Sequence, residues 1–222
     1  MRLLAIDTAL AACAAAVCDT ESGILAIESE PMARGHAEAI MPMIARVMAK
    51  AQIGFDKLDR IAVTVGPGSF TGLRVGVSAA RGIALAAGKP AVGVTTMTAL
   101  AAPYLAEDDT VPVLVAIDAR NDQAYMQAFG SGGRVLLPAQ LGPVRTLSML
   151  ALGPMRVVGS AAKRVAALWP QEQTLSTDER GAPDIAWVAQ IGSASSGGHA
   201  PKPLYLGALS AKPQPANQLL RR

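Results

Sequence analysis

The stretch Gly66-Pro67-Gly68-Ser69-Phe70-Thr71-Gly72-Leu73-Arg74 constrains this chain more than any other. Ile61 to Val65 before it is apolar and rich in β-branched residues, as a buried strand requires, and Gly66, Pro67 and Gly68 force a sharp turn at its end. Ser69 or Thr71 can then accept a hydrogen bond from a free N–H at the start of a helix over Thr71–Ala87. Such a helix start suits an anion. A Walker-type phosphate loop, however, needs a lysine after its last glycine, and Leu73 stands there. The strand, turn and helix are therefore read as a structural corner that positions the helix.

That helix carries Gly72, Gly76, Ala80, Ala84 and Gly88 at every fourth residue, a ridge almost without side chains that a neighbour can approach closely. A glycine inside a helix costs about 1 kcal/mol relative to alanine, so Gly76 and Gly82 point to close packing that offsets the cost. The ridge can meet a partner protein or another part of the same chain. A second helix, Gly35–Ala51, has a broad apolar face on which Met41, Met43 and Met48 make a soft, adaptable surface.

Around these elements the chain reads as strands Arg2–Thr8, Ala11–Asp19 and Ile24–Ser29, then the first helix, Ile61–Val65, the ridge helix, strand Ala91–Val94 and a helix capped by Thr95 or Thr96. A second meander begins with Val111–Asp118 and Gln123–Phe129 and continues at Arg134–Leu137; a strand at Arg156–Gly159 and a helix at Ala161–Leu168 follow. The order βββαβαβα is that of a ribonuclease-H-like unit, and it starts again after a breaker at Pro103–Asp109. The expected division is 1–103, 110–206 and an extended tail, 207–222. Of the 222 residues, 51% are apolar and only 4% aromatic, which favours alanine-rich helices on a sheet over a base-stacking platform. A net charge of +3 without a dense basic run gives direct nucleic-acid binding little support. Asp7 argues against a signal peptide, and no apolar run reaches the roughly eighteen residues of a membrane span. A cytoplasmic chain away from membranes is expected. Cys13 and Cys18 lie on opposite faces of one strand, as buried free thiols.

Four segments, Met1 to Thr8, His36-Ala37-Glu38 through Pro42, Gly66 to Arg74 and Ile117-Asp118-Ala119-Arg120, resemble the TsaB (YeaZ) family. The resemblance covers most of the first 125 residues and implies an α/β fold of the actin/hexokinase-like (ASKHA) superfamily with two related subdomains. It further implies a noncatalytic scaffold in the formation of N6-threonylcarbamoyladenosine at position 37 of tRNAs that read ANN codons. Such a scaffold dimerises with a TsaD-like transferase, helps recruit a TsaE-like ATPase, forms a homodimer when alone, and meets tRNA only through the complex. The expected partner interface is His36, Ile40, Met41, Ile44, Met48, Gly72, Gly76, Ala80 and Ala84, with Gly66, Pro67, Gly68, Ser69, Phe70, Thr71, Gly72 and Arg74 as the loop motif.

The histidine pair with which TsaD-like enzymes hold a metal is broken, because Ile40 follows His36 at that spacing, and no metal is expected. Asp7-Thr8 and Asp118 stand where the superfamily's phosphate turns would be, without the glycine that lets backbone approach a phosphate. This leaves a vestigial nucleotide site at Asp7, Thr8 and Asp118 and no cofactor. The family's closing Tyr-Leu-Arg motif is matched by Tyr205 and Leu206, with Gly207 in place of the arginine. The alternative function is an independent enzyme of the superfamily, either a small-molecule kinase or a peptidase.

Overall fold

The computed structural model describes residues 1–149, 153–168, 174–195 and 200–207, arranged around two five-stranded sheets. The first sheet opens with β1 (Arg2–Asp7), β2 (Ala12–Asp19) and β3 (Gly23–Pro31), an antiparallel meander in which Leu4 lies opposite Val17 and Ala15 opposite Glu28. Helix α1 (His36–Ala51) leads to β4 (Arg60–Gly66), and α2 (Phe70–Ala87) leads to β5 (Ala91–Thr95). β4 adds parallel to β1 and β5 parallel to β4, giving the order β3-β2-β1-β4-β5. The central strands are covered on both faces, which is why β1 and β4 read as nearly continuous apolar runs.

Helix α3 (Thr96–Glu107), capped by the Thr95 hydroxyl, joins this sheet to the second. There β6 (Val113–Asp118), β7 (Gln123–Phe129) and β8 (Val135–Pro143) form another antiparallel meander, followed by β9 (Met155–Val158), α4 (Ala162–Leu168) and β10 (Thr174–Asp178). β9 runs parallel to β6 and β10 parallel to β9, and the order β8-β7-β6-β9-β10 repeats that of the first sheet position for position. The repeat anticipated from the element pattern is thus a repeat of topology.

Two features differ from the sequence reading. Pro103 lies inside α3, which continues through Glu107 because Tyr104 and Leu105 beyond it pack on the apolar cluster of Leu100, Val113 and Ile117. That tertiary packing outweighs the helix-breaking tendency of the proline. Helix α5 (Ile185–Ala194) follows the second sheet in sequence and crosses back to the first. There Ile185, Val188 and Ala189 cover Leu3, Ala5, Ala14 and Ala62 on the face opposite α1 and α2. Arg60 fastens it, its Nη1 donating to the carbonyl oxygens of Gly192 (2.9 Å) and Ser193 (3.1 Å) at the helix end.

Cys13 is buried and Cys18 half-buried, on opposite faces of β2, and burial pushes both thiols up to about 11. No helix among the described residues is long and apolar enough to cross a membrane. Residues 208–222 of the expected tail lie outside the described residues.

Candidate functional site

The turn that ends β1 and the loop that starts α2 interlock. Ser69 N–H donates to the Ala9 carbonyl at 2.7 Å, and the Thr8 hydroxyl donates to the Gly72 carbonyl at 2.7 Å. A Cβ on Gly68 would collide with the Ala9 carbonyl oxygen, one on Gly72 with the Thr8 carbonyl oxygen, and one on Gly76 with the Thr8 hydroxyl. Gly68 and Gly72 of the motif, with Gly76 one turn further along α2, therefore serve the close approach of β1 to α2, and Gly66 takes up the turn at φ +116°. Ser69 is the cap of α2, its Oγ accepting from Gly72 N–H, while Thr71 is exposed.

The same packing corrects the expected partner surface. Gly72, Gly76, Ala80 and Ala84 are buried within their own chain, and Ile40, Ile44 and Met48 of α1 join Ala80 and Ala84 in the core over β1 and β4. His36 is also buried, with Nε2 3.2 Å from the Leu10 carbonyl oxygen. Of the nine residues, Met41 alone is exposed, at 48%. The reason is steric: a ridge this low lets α2 sit directly on the Thr8 turn, an internal use that the spacing alone does not distinguish from a partner contact. The opposite faces of the two helices are the ones left open. Ala37, Met41, Ala45 and Ala49 lie there on α1; Ser78, Gly82 and Leu85 lie there on α2. Leu85 is 86% exposed, and a Cβ on Gly82 would have nothing within 4 Å.

Between the two sheets lies a cleft of about 540 Å³ lined by Ala9, Ser69, Phe70, Asp118, Arg120 and Ser160, among others. The three residues of the expected nucleotide site do not share it. Asp118 is at the cleft, ion-paired to Arg164 at 2.9 Å and accepting from Arg120 N–H at 3.2 Å. Asp7 is fully buried behind the loop, where its Oδ1 accepts from Ala9 N–H and the Thr64 hydroxyl and its Oδ2 has no partner. Burial raises the Asp7 pKa above the ordinary carboxylate value, against the opposing effect of those two hydrogen bonds. Thr8 is committed to Gly72. Among the described residues no group of three or more His, Cys, Asp or Glu is placed to hold a metal.

At the mouth of the cleft the loop motif meets the closing motif. The Arg74 guanidinium lies 3.8 Å from the Phe70 ring centroid, and its Nε donates to the Tyr205 hydroxyl at 3.2 Å. Leu204 N–H donates to the Val65 carbonyl at 2.7 Å, so the two motifs, noted separately in the sequence, form one cluster. Away from the residues that line the cleft, the Tyr104 hydroxyl of α3 donates to Asp178 of β10, which also pairs with Arg180 at 3.0 Å. Burial and that hydrogen bond push the Tyr104 phenol up to about 12. Neither Tyr104 nor Asp178 stands out in the sequence, since their pairing joins α3 to a strand 74 residues later.

A family model described as TsaD, tRNA N6-adenosine threonylcarbamoyltransferase, matches residues 25–166. The chain is 37% identical over 125 residues to the tRNA threonylcarbamoyladenosine biosynthesis protein TsaB of Escherichia coli K12, a match covering 56% of this chain and 53% of that protein. The solved structure of YeaZ from Pseudomonas aeruginosa superposes with a TM-score of 0.80 at 27% identity, over 92% of this chain and 99% of that one. The chain belongs to the TsaB (YeaZ) family. An uncharacterised Mycobacterium tuberculosis H37Rv protein is 32% identical over 74% of both chains. The chain spans about half the length of the curated TsaB relatives that it matches first. A polyphosphate/ATP-glucomannokinase of Arthrobacter, at TM-score 0.50 and 13% identity, shares the fold alone, and the architecture is the actin/hexokinase-like α/β fold with two related subdomains.

At His36 the ring is taken up by the Leu10 carbonyl at the first turn of α1. A Cβ on Gly207 would lie 2.9 Å from Leu141 Cδ2, the movable end of a β8 side chain.

Proposed function

We propose that this chain is a noncatalytic scaffold in the formation of N6-threonylcarbamoyladenosine on ANN-decoding tRNAs. In this reading it works in the cytoplasm, pairs with a TsaD-like transferase through the outward faces of α1 and α2, and pairs with a second copy when that subunit is absent. The observation that carries the reading is the open face of those helices. Exposed Met41 and Leu85 there flank small residues, and mid-helix Gly82 has no neighbour inside the chain to offset its cost of about 1 kcal/mol. Apolar helix faces of this kind mark protein–protein contacts. A TsaE-like ATPase joins the assembled pair, and tRNA reaches this chain only within the assembly.

A noncatalytic role is supported by how the residues nearest a phosphate site are used. Gly68 and Gly72 abut the Ala9 and Thr8 carbonyls, Asp7 is withdrawn into the core, and Asp118 is paired with Arg164. The nucleotide site is vestigial in this reading, and the chain needs no cofactor of its own. The test is reconstitution with the TsaD-like and TsaE-like proteins of the same cell, ATP, a threonylcarbamoyl donor and unmodified tRNA. Modified tRNA is expected with the complete set and not without this chain. ATP hydrolysis, peptidase activity or tRNA modification by this chain alone would overturn the proposal. In the same system Ala45→Arg with Ser78→Arg is expected to abolish pairing and leave the fold intact.

A further inference from the structure

The C-terminal end of α2 forms one wall of a groove of about 700 Å³, closed on its other sides by Pro90, Ala91 and Ala200. Its lining is largely apolar: Ala84 lies buried at the base, and Leu85, 86% exposed, projects at the edge. Two cations, Arg81 and Lys89, stand on it, and neither side chain has an ion pair or hydrogen bond among the described residues. Among the described residues no carboxylate lines the groove. Other surface cations divide: Arg2, Arg46, Lys50, Lys57, Arg156 and Lys163 have carboxylate partners, whereas Arg34, Arg120, Arg134 and Lys202 have none among the described residues, so it is the setting of Arg81 and Lys89 side by side on an apolar groove that sets them apart. The helix end offers the two cations only the partial negative charge of its last carbonyls. Those of Ala84 and Leu85 already accept from Lys89 N–H at 2.9 Å and Gly88 N–H at 3.3 Å.

We infer that this groove receives an acidic segment of the partner subunit, with carboxylates on Arg81 and Lys89 and an apolar side chain against Leu85. The inference rests on the scaffold reading for the partner and adds the chemistry of its contact. The charge is complementary only to an anion, and the apolar floor decides which kind. Affinity for a nucleic-acid backbone comes from many phosphate contacts, whereas this groove sets two cations in an aliphatic wall. An acidic protein segment uses both halves. Rim charges of this sort act mainly on partner choice and association rate. The groove also continues the open face of α2 through Gly82, which lines both.

The test measures affinity of the full chain for the TsaD-like protein of the same cell as a function of salt. Arg81→Glu with Lys89→Glu is expected to weaken binding about tenfold at low salt, with the difference shrinking as salt rises. Arg81→Gln with Lys89→Gln repeats the test with a smaller loss if the double reversal folds poorly, as judged by circular dichroism. Wild-type affinity in either folded variant would overturn the inference. If Ala45→Arg with Ser78→Arg abolishes pairing while the reversal does not, the groove proposal fails alone; if the wild-type chain does not pair at all, the scaffold reading fails with it. Two further outcomes overturn it in favour of another occupant: tRNA binding that the reversal removes while pairing is unchanged, or self-association that falls as far as partner binding.

Discussion

Replacing either mid-helix glycine of α2 by alanine makes the same chemical change with opposite expected signs. At Gly82 a new Cβ meets nothing within 4 Å, so Gly82→Ala gains the full helix-propensity difference, about 1 kcal/mol. At Gly76 the gain is equal, but the Cβ collides with the Thr8 hydroxyl, which donates to Gly72 at 2.7 Å, and lies 3.4 Å from a Val63 methyl. Turning Thr8 aside forfeits that hydrogen bond, roughly 1 kcal/mol, and the crowding adds about 1–3 kcal/mol. Gly76→Ala is therefore expected to destabilise by about 1–3 kcal/mol after the propensity gain is subtracted. For a chain of this length, 1 kcal/mol moves the thermal midpoint by about 2–4 °C, so the two midpoints should move to opposite sides of the wild-type value. Thermal unfolding followed by circular dichroism reads this directly on the isolated chain. Gly82→Ala lowering the midpoint, or Gly76→Ala raising it, would refute the assignment of inner and outer faces. Gly82→Leu then separates stability from assembly: the midpoint of the isolated chain should rise nearly as far as that of Gly82→Ala, while pairing weakens.

Arg60→Met should lower stability by about 2 kcal/mol in urea unfolding, because the carbonyls at the end of α5 lose charge-assisted hydrogen bonds; an unchanged midpoint would mean that α5 is held by its apolar face alone. Asp7 carries a pH signature. Its folded pKa is raised above the unfolded value near 3.8, so its favourable contribution is complete below the unfolded pKa and is lost as pH rises through the folded one. Asp7→Asn, which still offers an oxygen to Ala9 N–H and the Thr64 hydroxyl, should flatten that fall, and parallel stability–pH curves for the two proteins would contradict the assignment.

The corner around Gly66 to Arg74 was legible because backbone geometry there leaves few choices, and the strands and helices on either side follow within a residue or two. The direction in which the glycine ridge faces was not legible. Four-residue spacing states that something approaches closely but is silent on whether it is a partner helix or the Thr8 turn. β10 was missed because Thr174-Leu175-Ser176-Thr177-Asp178 is short and largely polar. α5 was missed because its sequence is apolar nearly all round, with no amphipathic stripe to announce which sheet it covers. The cleft was legible in part: Asp118, singled out in the sequence, lines it, whereas Asp7 is drawn inward by Thr64, a polar residue in a run of apolar ones that could have signalled a buried hydrogen bond. The contact of Arg74 with Tyr205 spans 131 residues and has no local trace.

The return of α5 to the first sheet bears on how the chain is made. As residues leave the ribosome in order, β1 to β5 emerge complete with α1 and α2, and Ala99 of α3 soon joins the far face, yet the cover that Ile185, Val188 and Ala189 give to Leu3, Ala5, Ala14 and Ala62 waits for a helix that begins about 90 residues after β5 ends. Through most of synthesis the nascent sheet presents an apolar face, the kind of surface that chaperones bind and that associates in polysomes. A chain that stopped before Ile185 would lack that cover and expose apolar surface of the kind proteases and chaperones act on, which would make the last described helix a length check on the first sheet to be built.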